Sequence, residues 1–259
     1  MTHTAGPDSA EVDVRMVHAV SRDPRDRAGR VAPFVRTQPR IVGVFHNTPW
    51  LIAGKSPVGV MLDTAHSVRL EYDDPCMVLE ALFNELDRSM VQLASEARTD
   101  AESFEAMWEF GGQAALVAVV GGRVAIGRVG DLRVLRWAGG ELKTLLAENT
   151  LAADLRDSGH YVGTGAPANI ITDCLGTGAE PRYPRVLLAE FDRAADFVII
   201  SGSADANLGD TRAREALAEH PREGASMLAS ATMAAGHRTA VAAIVNVVRT
   251  GQVQQAHGD

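Results

Sequence analysis

The sequence has little cysteine and no long apolar run. Its 259 residues include two cysteines, Cys76 and Cys174, which are too few for a disulfide framework and favour a reducing cytoplasm. The uncharged apolar stretches at 110–122 and 224–236 are shorter than the roughly 18–20 residues that a membrane-spanning helix needs. The first fourteen residues have neither the basic nor the apolar region of a secretory signal, so none is expected.

The chain also lacks a basic excess. It has 33 acidic and 25 basic residues, which give a net charge of −8, and only two of the basic residues are lysines. The arginines are scattered along the chain, which argues against a nucleic-acid-binding face. An apolar fraction of 46% is ordinary for a folded protein, so a single domain with a sizeable core is expected.

The composition divides the chain into three parts. Residues 1–38 are polar and rich in Arg, Asp and Pro, and we expect a mostly flexible segment in which 12–20 is the one stretch that would suit a strand. Residues 39–249 contain no linker or repeat and form the expected domain. Residues 250–259 are expected to be a disordered tail.

Helix signals follow two short strands. The stretches 40–45 and 50–53 look like strands around a break at 46–49, and a further apolar run at 58–62 ends at Asp63. Asp73-Asp74-Pro75 is typical of a helix start, and apolar residues then recur at three- and four-residue steps as far as Leu93. A capping-box pattern at 99–102 predicts a shorter helix that extends to Trp108.

The second half of the domain is mainly β-rich. Glycine-containing turns separate four short runs and predict an antiparallel meander: 113–120, 123–129, 133–137 and 141–145. The later segments predict a strand pair, two helices and a closing strand: 185–190 with 196–200, then 212–219, 224–235 and 239–248. This order indicates an α+β fold in which helices pack outside a core of two sheets.

Five strings in this order resemble those of the metal-dependent type 2C (PPM-type) serine/threonine protein phosphatases. Residues 129–133 (VGDLR) resemble the family's V-G-D-S-R, 148–150 (ENT) its D-H-S, and 169–176 (NIITDCLG) its N-V-I-T-R-A-L-G. Residues 196–207 and 236–245 resemble D-x-L-L-L-C-S-D-G-L-x-D and G-x-x-D-N-I-T-V-V-V. The resemblance implies an αββα sandwich of two antiparallel sheets flanked by helices.

The resemblance also implies a reaction. Members of the family hold two Mn²⁺ or Mg²⁺ ions almost wholly with aspartates, and a bridging water attacks the phosphorus of a phosphoserine or phosphothreonine. Hard divalent ions need anionic oxygen ligands, and two neighbouring ions need several carboxylates to offset their repulsion. The aspartate positions can therefore be compared one at a time.

The first two aspartate motifs match poorly. The family's R-x-x-N-E-D matches residues 44–49 with Asn47 kept, but Val44 stands in place of Arg and Pro49 in place of Asp. The family's D-G-x-G-G matches 63–67 with Asp63 kept and Thr64 in place of the first Gly. Asp63 is therefore the one candidate metal ligand, although an ordinary Asp at a strand end, capping the next turn, is the competing interpretation.

The last two aspartate motifs have lost their carboxylates. The Asp of the family's S-D-G falls on Ser203, and the Asp of its D-N falls on Thr239. A hydroxyl is a neutral and weak ligand for Mn²⁺ or Mg²⁺. The resemblance thus implies a degenerate member with no expected cofactor, and with Mn or Mg only if the protein is active.

Other residues allow structural or chemical interpretations. Gly130, Asp131 and Arg133 are expected to hold the turn of the meander. His46, His66 and Asp63 would suit a zinc site if they came together, although no HxxxH or HxH spacing supports one. Ser203 lacks a G-x-S-x-G elbow and is expected to be a loop serine rather than a nucleophile.

Two functional hypotheses remain open. The first is a non-catalytic pseudophosphatase of the cytoplasm that binds a protein or phosphoprotein partner, in the setting of a bacterial Ser/Thr kinase system. The second is an active but atypical Mn/Mg-dependent phosphatase that uses Asp63, the nearby histidines and further acids such as Asp173, Asp205 or Asp210. An enzyme of another class in a remodelled pocket is a third and weaker hypothesis, which an ordered zinc at His46 and His66 would favour.

Overall fold

The structure is a computed structural model of the whole chain. It describes residues 11–22, 31–47, 55–97, 111–138, 141–147, 149–160, 171–176, 186–191, 193–200, 215, 217–218, 221–234 and 239–250. Within these ranges, no helix is both long enough and apolar enough to cross a membrane.

Ten strands and four helices make up the described part of the chain. The strands are β1 (Glu11–Arg22), β2 (Val31–Thr37), β3 (Arg40–Asn47), β4 (Gly112–Val120), β5 (Arg123–Val129), β6 (Arg133–Ala138), β7 (Glu141–Leu146), β8 (Val186–Ala189), β9 (Ala194–Ile200) and β10 (Thr239–Thr250). The helices are α1 (Pro57–Ser67), α2 (Pro75–Ala97), α3 (Leu151–Asp157) and α4 (Pro221–Ala234).

The strands form two antiparallel five-stranded sheets. The first sheet has the order β1-β10-β9-β6-β7, and the second has the order β2-β3-β4-β5-β8. Side chains such as Val117 and Phe197 fill the space between the sheets. Helices α1 and α2 cover the outer face of the second sheet, where Leu82 packs near Phe45, and Leu228 of α4 packs on the outer face of the first sheet. The predicted αββα sandwich is therefore confirmed.

The domain begins earlier in the chain than its composition indicates. β1 pairs with β10 from Glu11 to Arg22, and β2 pairs with β3 from Val31 to Thr37. The strand expected within 12–20 is therefore confirmed as part of β1, whereas β2 lies in a stretch for which no strand is predicted. Both strands lie at sheet edges, where one side of the strand is exposed. Asp13 and Arg15 alternate with apolar residues in β1, which is the pattern of a strand with one exposed face.

Two predicted strand pairings are also wrong. β8 and β9 lie in different sheets, so they do not form a pair, and the four β-rich runs are two hairpins rather than one meander. The chain leaves the second sheet after β5 and enters the first at β6. Gly130, between them, has a φ of +94°, which a residue with a side chain rarely adopts. Hairpin signals show local pairing, but they do not show in which sheet each hairpin lies.

The apolar run at 58–62 is helical. Ser56 caps α1 by accepting a hydrogen bond from the Gly59 amide at 3.4 Å, and the helix starts with proline. Val58, Met61 and Ala65 recur at helical spacing and are buried against the second sheet. Asp63 therefore lies inside a helix, and the interpretation of it as an Asp at a strand end is wrong.

The other predicted elements have mixed outcomes. The helix start at Asp74 and Pro75 is confirmed, because the Asp74 carboxylate accepts the Cys76 amide at 2.7 Å. The strand at 40–45, the helix at 224–235 and the closing strand at 239–248 are confirmed as β3, α4 and β10. The strand at 50–53, the helix that starts at 99–102 and the tail after residue 250 lie outside the described residues, as does most of 212–219.

Candidate functional site

The candidate site lies at the end of the sandwich where β5 stops. Gly130 follows β5 and is held from both sides by Asn149, which is 2% exposed. The Gly130 amide donates to Asn149 Oδ1 at 3.3 Å, and the Asn149 amide donates to the Gly130 carbonyl at 2.8 Å. The two strings at 129–133 and 148–150 that resemble phosphatase motifs are thus in direct contact.

A third string joins them. Thr150 forms an isolated β-bridge with Ile171, and the Thr172 amide donates to the Asn149 carbonyl at 3.0 Å. Leu175 exchanges backbone hydrogen bonds of 2.8 and 3.0 Å with Gly112, the first residue of β4. Segments far apart in the sequence therefore meet at one corner of the second sheet.

The polar side chains at this corner face the space between the sheets. His46 and Gln113 are cross-strand partners, and they continue the alternation that buries Val44 and Ala115 between the sheets. Gln113 is fully buried, and its Oε1 accepts the Asp131 amide at 3.2 Å. His46 Nδ1 lies 3.9 Å from Asp131 Oδ1, with side-chain exposures of 13% and 15%. We call His46, Gln113, Asp131 and Asn149 the corner cluster.

Two buried nitrogen atoms of the corner cluster form no hydrogen bond within the described part of the chain. Gln113 Nε2 and His46 Nδ1 form no hydrogen bond with any residue that the structure describes. The contact of Gln113 Oε1 with the Asp131 amide fixes the orientation of the Gln113 side chain, so its amino group is held in place. A buried donor without an acceptor costs about 1–3 kcal/mol, and a bound acceptor would recover that cost.

Further charged groups lie close to the cluster. Arg128 precedes Gly130 by two residues on β5, and Asp173 lies between Thr172 and Leu175 in the third string; each is 7% exposed. Buried charged groups are uncommon away from functional or structural sites. Buried polar and charged side chains therefore lie together at this end of the sandwich, within a core that is otherwise apolar.

Asp63, Thr64 and His66 lie elsewhere. They belong to α1, which packs on the outer face of the second sheet, whereas His46 faces the other sheet. Asp63 is exposed, Thr64 donates to Ser89 Oγ at 3.0 Å, and the His66 ring lies 5.0 Å from the Phe34 ring. The zinc site that would combine His46, His66 and Asp63 is therefore not formed, because the sheet separates its members.

The remaining candidate positions are only partly described. Asn47 ends β3 opposite Gly112, and Thr239 begins β10 opposite Arg22. Arg133 begins β6 opposite Ile200. Pro49 and Ser203 lie outside the described residues.

Sequence reasoning overlooked Gln113 and underused His46. Gln113 is the one polar residue in an otherwise apolar strand, GQAALVAVV, and this interruption was the available signal. His46 is close in sequence to His66 and Asp63, but in the structure it lies beside Asp131 instead. Its contact with Asp131 spans 85 residues and depends on the pairing of β3, β4 and β5, which no local pattern shows.

The chain has the fold of the PPM-type serine/threonine phosphatases. This fold is recognised by its two sheets, by the helices outside them and by the strings that meet at the corner. The chain is similar to the catalytic domain of the serine/threonine phosphatase PstP in complex with two manganese ions, with 16% identity, a TM-score of 0.70 and coverage of 92% of this chain and 100% of that one. Neither a family model nor a curated protein sequence matches the chain.

Two further solved structures are similar. The PPM phosphatase MsPP of Mycobacterium smegmatis, in complex with cacodylate, is 18% identical, with a TM-score of 0.67 and coverage of 92% of this chain and 98% of that one. PppA, described as a key regulatory component of T6SS in Pseudomonas aeruginosa, is 17% identical, with a TM-score of 0.67 and coverage of 90% and 96%. At these identities, the likeness shows the fold.

The corner cluster fits poorly to the metal pair that the fold implies. Its donors are one imidazole, two neutral amides and the single carboxylate of Asp131. Within the described ranges, no group of three or more His, Cys, Asp or Glu side chains is placed to hold a metal ion. Two hard divalent cations a few ångströms apart need several anionic oxygens, which this donor set does not supply.

Proposed function

We propose that this protein is a non-catalytic member of the PPM fold class, a pseudophosphatase that binds a protein or phosphoprotein partner. The observation that carries the proposal is the corner cluster. It retains the junction of phosphatase-like strings around Gly130 and Asn149, but it presents imidazole and amide groups beside a single carboxylate. This arrangement suits hydrogen bonding to a partner better than activation of a metal-bound water.

The two nitrogen atoms without a hydrogen bond among the described residues support this binding role. Gln113 Nε2 and His46 Nδ1 lie in buried positions, and an acceptor oxygen from a partner would relieve their desolvation. Phosphoryl and carbonyl oxygens are both suitable acceptors. Arg128 on the same strand end adds a positive charge that favours a phosphorylated partner.

We also propose a biological setting from the similar structures and from the two free cysteines. The similar structures include bacterial Ser/Thr phosphatases, and PppA is described as a regulatory component of its own system. A partner within a Ser/Thr kinase system therefore fits the fold class. Both cysteines are free, which agrees with a cytoplasmic location.

The proposal is tested by capturing partners from the host with and without prior dephosphorylation of the lysate. His46→Ala should weaken capture of a phosphoprotein, because it removes one donor of the corner cluster. His66→Ala is the matched control, since it changes a histidine on the other side of the same sheet. Equal capture by the two variants would contradict a binding role for the cluster.

A second candidate function is an active, atypical Mn/Mg-dependent phosphatase. It is supported by two carboxylates near the corner, Asp131 and Asp173, and by the manganese ions bound in the PstP structure. Titration with Mn²⁺ while following hydrolysis of para-nitrophenyl phosphate tests it, with Asp131→Asn as the test variant and Asp63→Ala, on the exposed face of α1, as the control. Turnover that depends on Mn²⁺ and disappears in Asp131→Asn would favour this second function over the first.

A further inference from the structure

A cleft of about 260 Å³ opens at the end of the sandwich opposite the corner cluster. It lies between the start of β5, the end of β8 and the end of β10, so that both sheets contribute to it. Four of its lining residues carry the argument: Arg123, Glu190, Phe191 and Arg249. Arg123 begins β5 and Gly130 follows its end, so the length of that strand separates the two places by about 20 Å.

Arg249 lies over an aromatic ring. Its guanidinium carbon is 4.7 Å from the centre of the Phe191 ring, and among the residues that the structure describes it forms no ion pair with a carboxylate. Its backbone amide donates to the Arg193 carbonyl at 2.9 Å, which fixes the strand there. Stacking uses the face of a guanidinium and leaves the N–H groups at its edge available for an anion.

Arg123 is held in place by Asp74, which caps the start of α2. One of its terminal nitrogens donates to Asp74 Oδ2 at 2.7 Å. The hydrogen bond from the Cys76 amide is the largest cause of the lowered pKa of Asp74, and the contact with Arg123 lowers this pKa further. A guanidinium has five N–H donors, so this single contact leaves most of them available to a ligand.

Another basic side chain contacts a residue that lines the cleft. Arg136 donates to the main-chain carbonyl of Glu190, and Lys143 stands opposite Arg136 in the β6–β7 pair. Lys143 is one of only two lysines in the chain. The fold thus gathers basic side chains here that are scattered in the sequence of an acidic protein. Glu190 is the acidic residue among those that line the cleft.

We propose that this cleft binds a phosphate monoester, with its anionic oxygens between Arg123 and Arg249 and its organic group against Phe191. Two guanidinium groups match a dianion with three acceptor oxygens better than they match one carboxylate. A volume of about 260 Å³ is smaller than a typical drug-sized pocket and suits a single small group. The ester is either a free phosphorylated metabolite or a phosphorylated side chain.

The test is calorimetric titration of the full chain with phenyl phosphate. Arg249→Gln should weaken binding at least about tenfold, because a charged hydrogen-bonding group is lost. Arg249→Lys should give an intermediate loss, and Glu190→Gln should tighten binding about threefold, because it removes a repulsive charge. Arg69→Gln, a change on an exposed arginine paired with Glu71, should leave binding unchanged.

Two additional measurements identify the source of the ligand and the place where it binds. A phosphoserine peptide that binds more tightly than phenyl phosphate identifies a phosphorylated side chain, and the reverse order identifies a metabolite. His46→Ala separates the two sites: loss of phenyl phosphate binding in Arg249→Gln, with binding kept in His46→Ala, places the ligand in the cleft, whereas the reverse pattern places it in the corner cluster and overturns the proposal. Absence of binding to the wild-type chain at millimolar phenyl phosphate, or equal binding by Arg249→Gln in a folded variant, would overturn the proposal.

Discussion

Replacement of Gly130 by alanine tests the packing that holds the corner cluster together. Gly130 has a φ of +94°, and a Cβ atom added to it would lie 2.5 Å from Gln113 Cγ and 2.7 Å from Gln113 Cβ. Contacts below 3.0 Å do not occur between real atoms of this kind, so Gln113 must move or the turn must open. Either change breaks the hydrogen bond between the Asp131 amide and Gln113 Oε1.

Two separate costs set the loss of stability that we expect for Gly130→Ala. A side chain in the left-handed region costs roughly 1–2 kcal/mol. Overpacking against a buried neighbour typically adds about 1–3 kcal/mol. We therefore expect Gly130→Ala to lower the free energy of unfolding by about 2–5 kcal/mol, which is a large share of the stability of a protein this size.

The assay is urea unfolding followed by circular dichroism, with Gly121→Ala as the matched control. Gly121 has a φ of +56°, but a Cβ atom there would meet nothing within 4 Å. Gly121→Ala should therefore lower the free energy of unfolding only by the backbone cost, about 1–2 kcal/mol. Equal losses of stability in the two variants would refute the claim that Gln113 is packed against Gly130.

Three other variants test other parts of the fold. Asp74→Asn should lower the free energy of unfolding at neutral pH. The difference from the wild type should shrink as the pH falls below 3.8, the ordinary pKa of an aspartate, because Asp74 stabilises the fold only while its carboxylate is charged. Urea unfolding at pH 7 and pH 3 measures this difference. Gly43→Ala should prevent folding or greatly reduce soluble yield, because its Cβ would lie 2.1 Å from the Ala115 carbonyl oxygen. Phe197→Ala should cost about 3–5 kcal/mol in chemical unfolding, because Phe197 is fully buried between the sheets; a loss below about 1 kcal/mol would contradict its place in the core.

Local patterns predicted most elements but not their assembly. The helix at Pro75–Ala97 carries its cap and its apolar spacing within one segment, so the sequence alone predicts it. The two hairpins β4–β5 and β6–β7 have local turn signals as well. Assignment of each hairpin to a sheet depends on contacts such as Arg136 with Phe197 across β6 and β9, which join residues far apart in the chain.

The candidate site was predicted in part. The strings around Gly130, Asn149 and Leu175 come together in the structure, as a resemblance to one fold implies. Asp63 is the one carboxylate that matches a metal-binding motif of the phosphatases. In the structure it lies on the exposed face of α1. An apolar run of five residues suits a strand or a buried helix equally well, so its periodicity could not decide the alignment.

Calorimetric titration of the purified chain with Mn²⁺ tests the central claim most directly. A pseudophosphatase whose corner cluster presents one carboxylate, one imidazole and two amides should give no saturable heat of metal binding at micromolar Mn²⁺. Para-nitrophenyl phosphate should not be hydrolysed faster as the metal is added. Saturable binding of two ions per chain, accompanied by turnover that a chelator abolishes, would contradict the account.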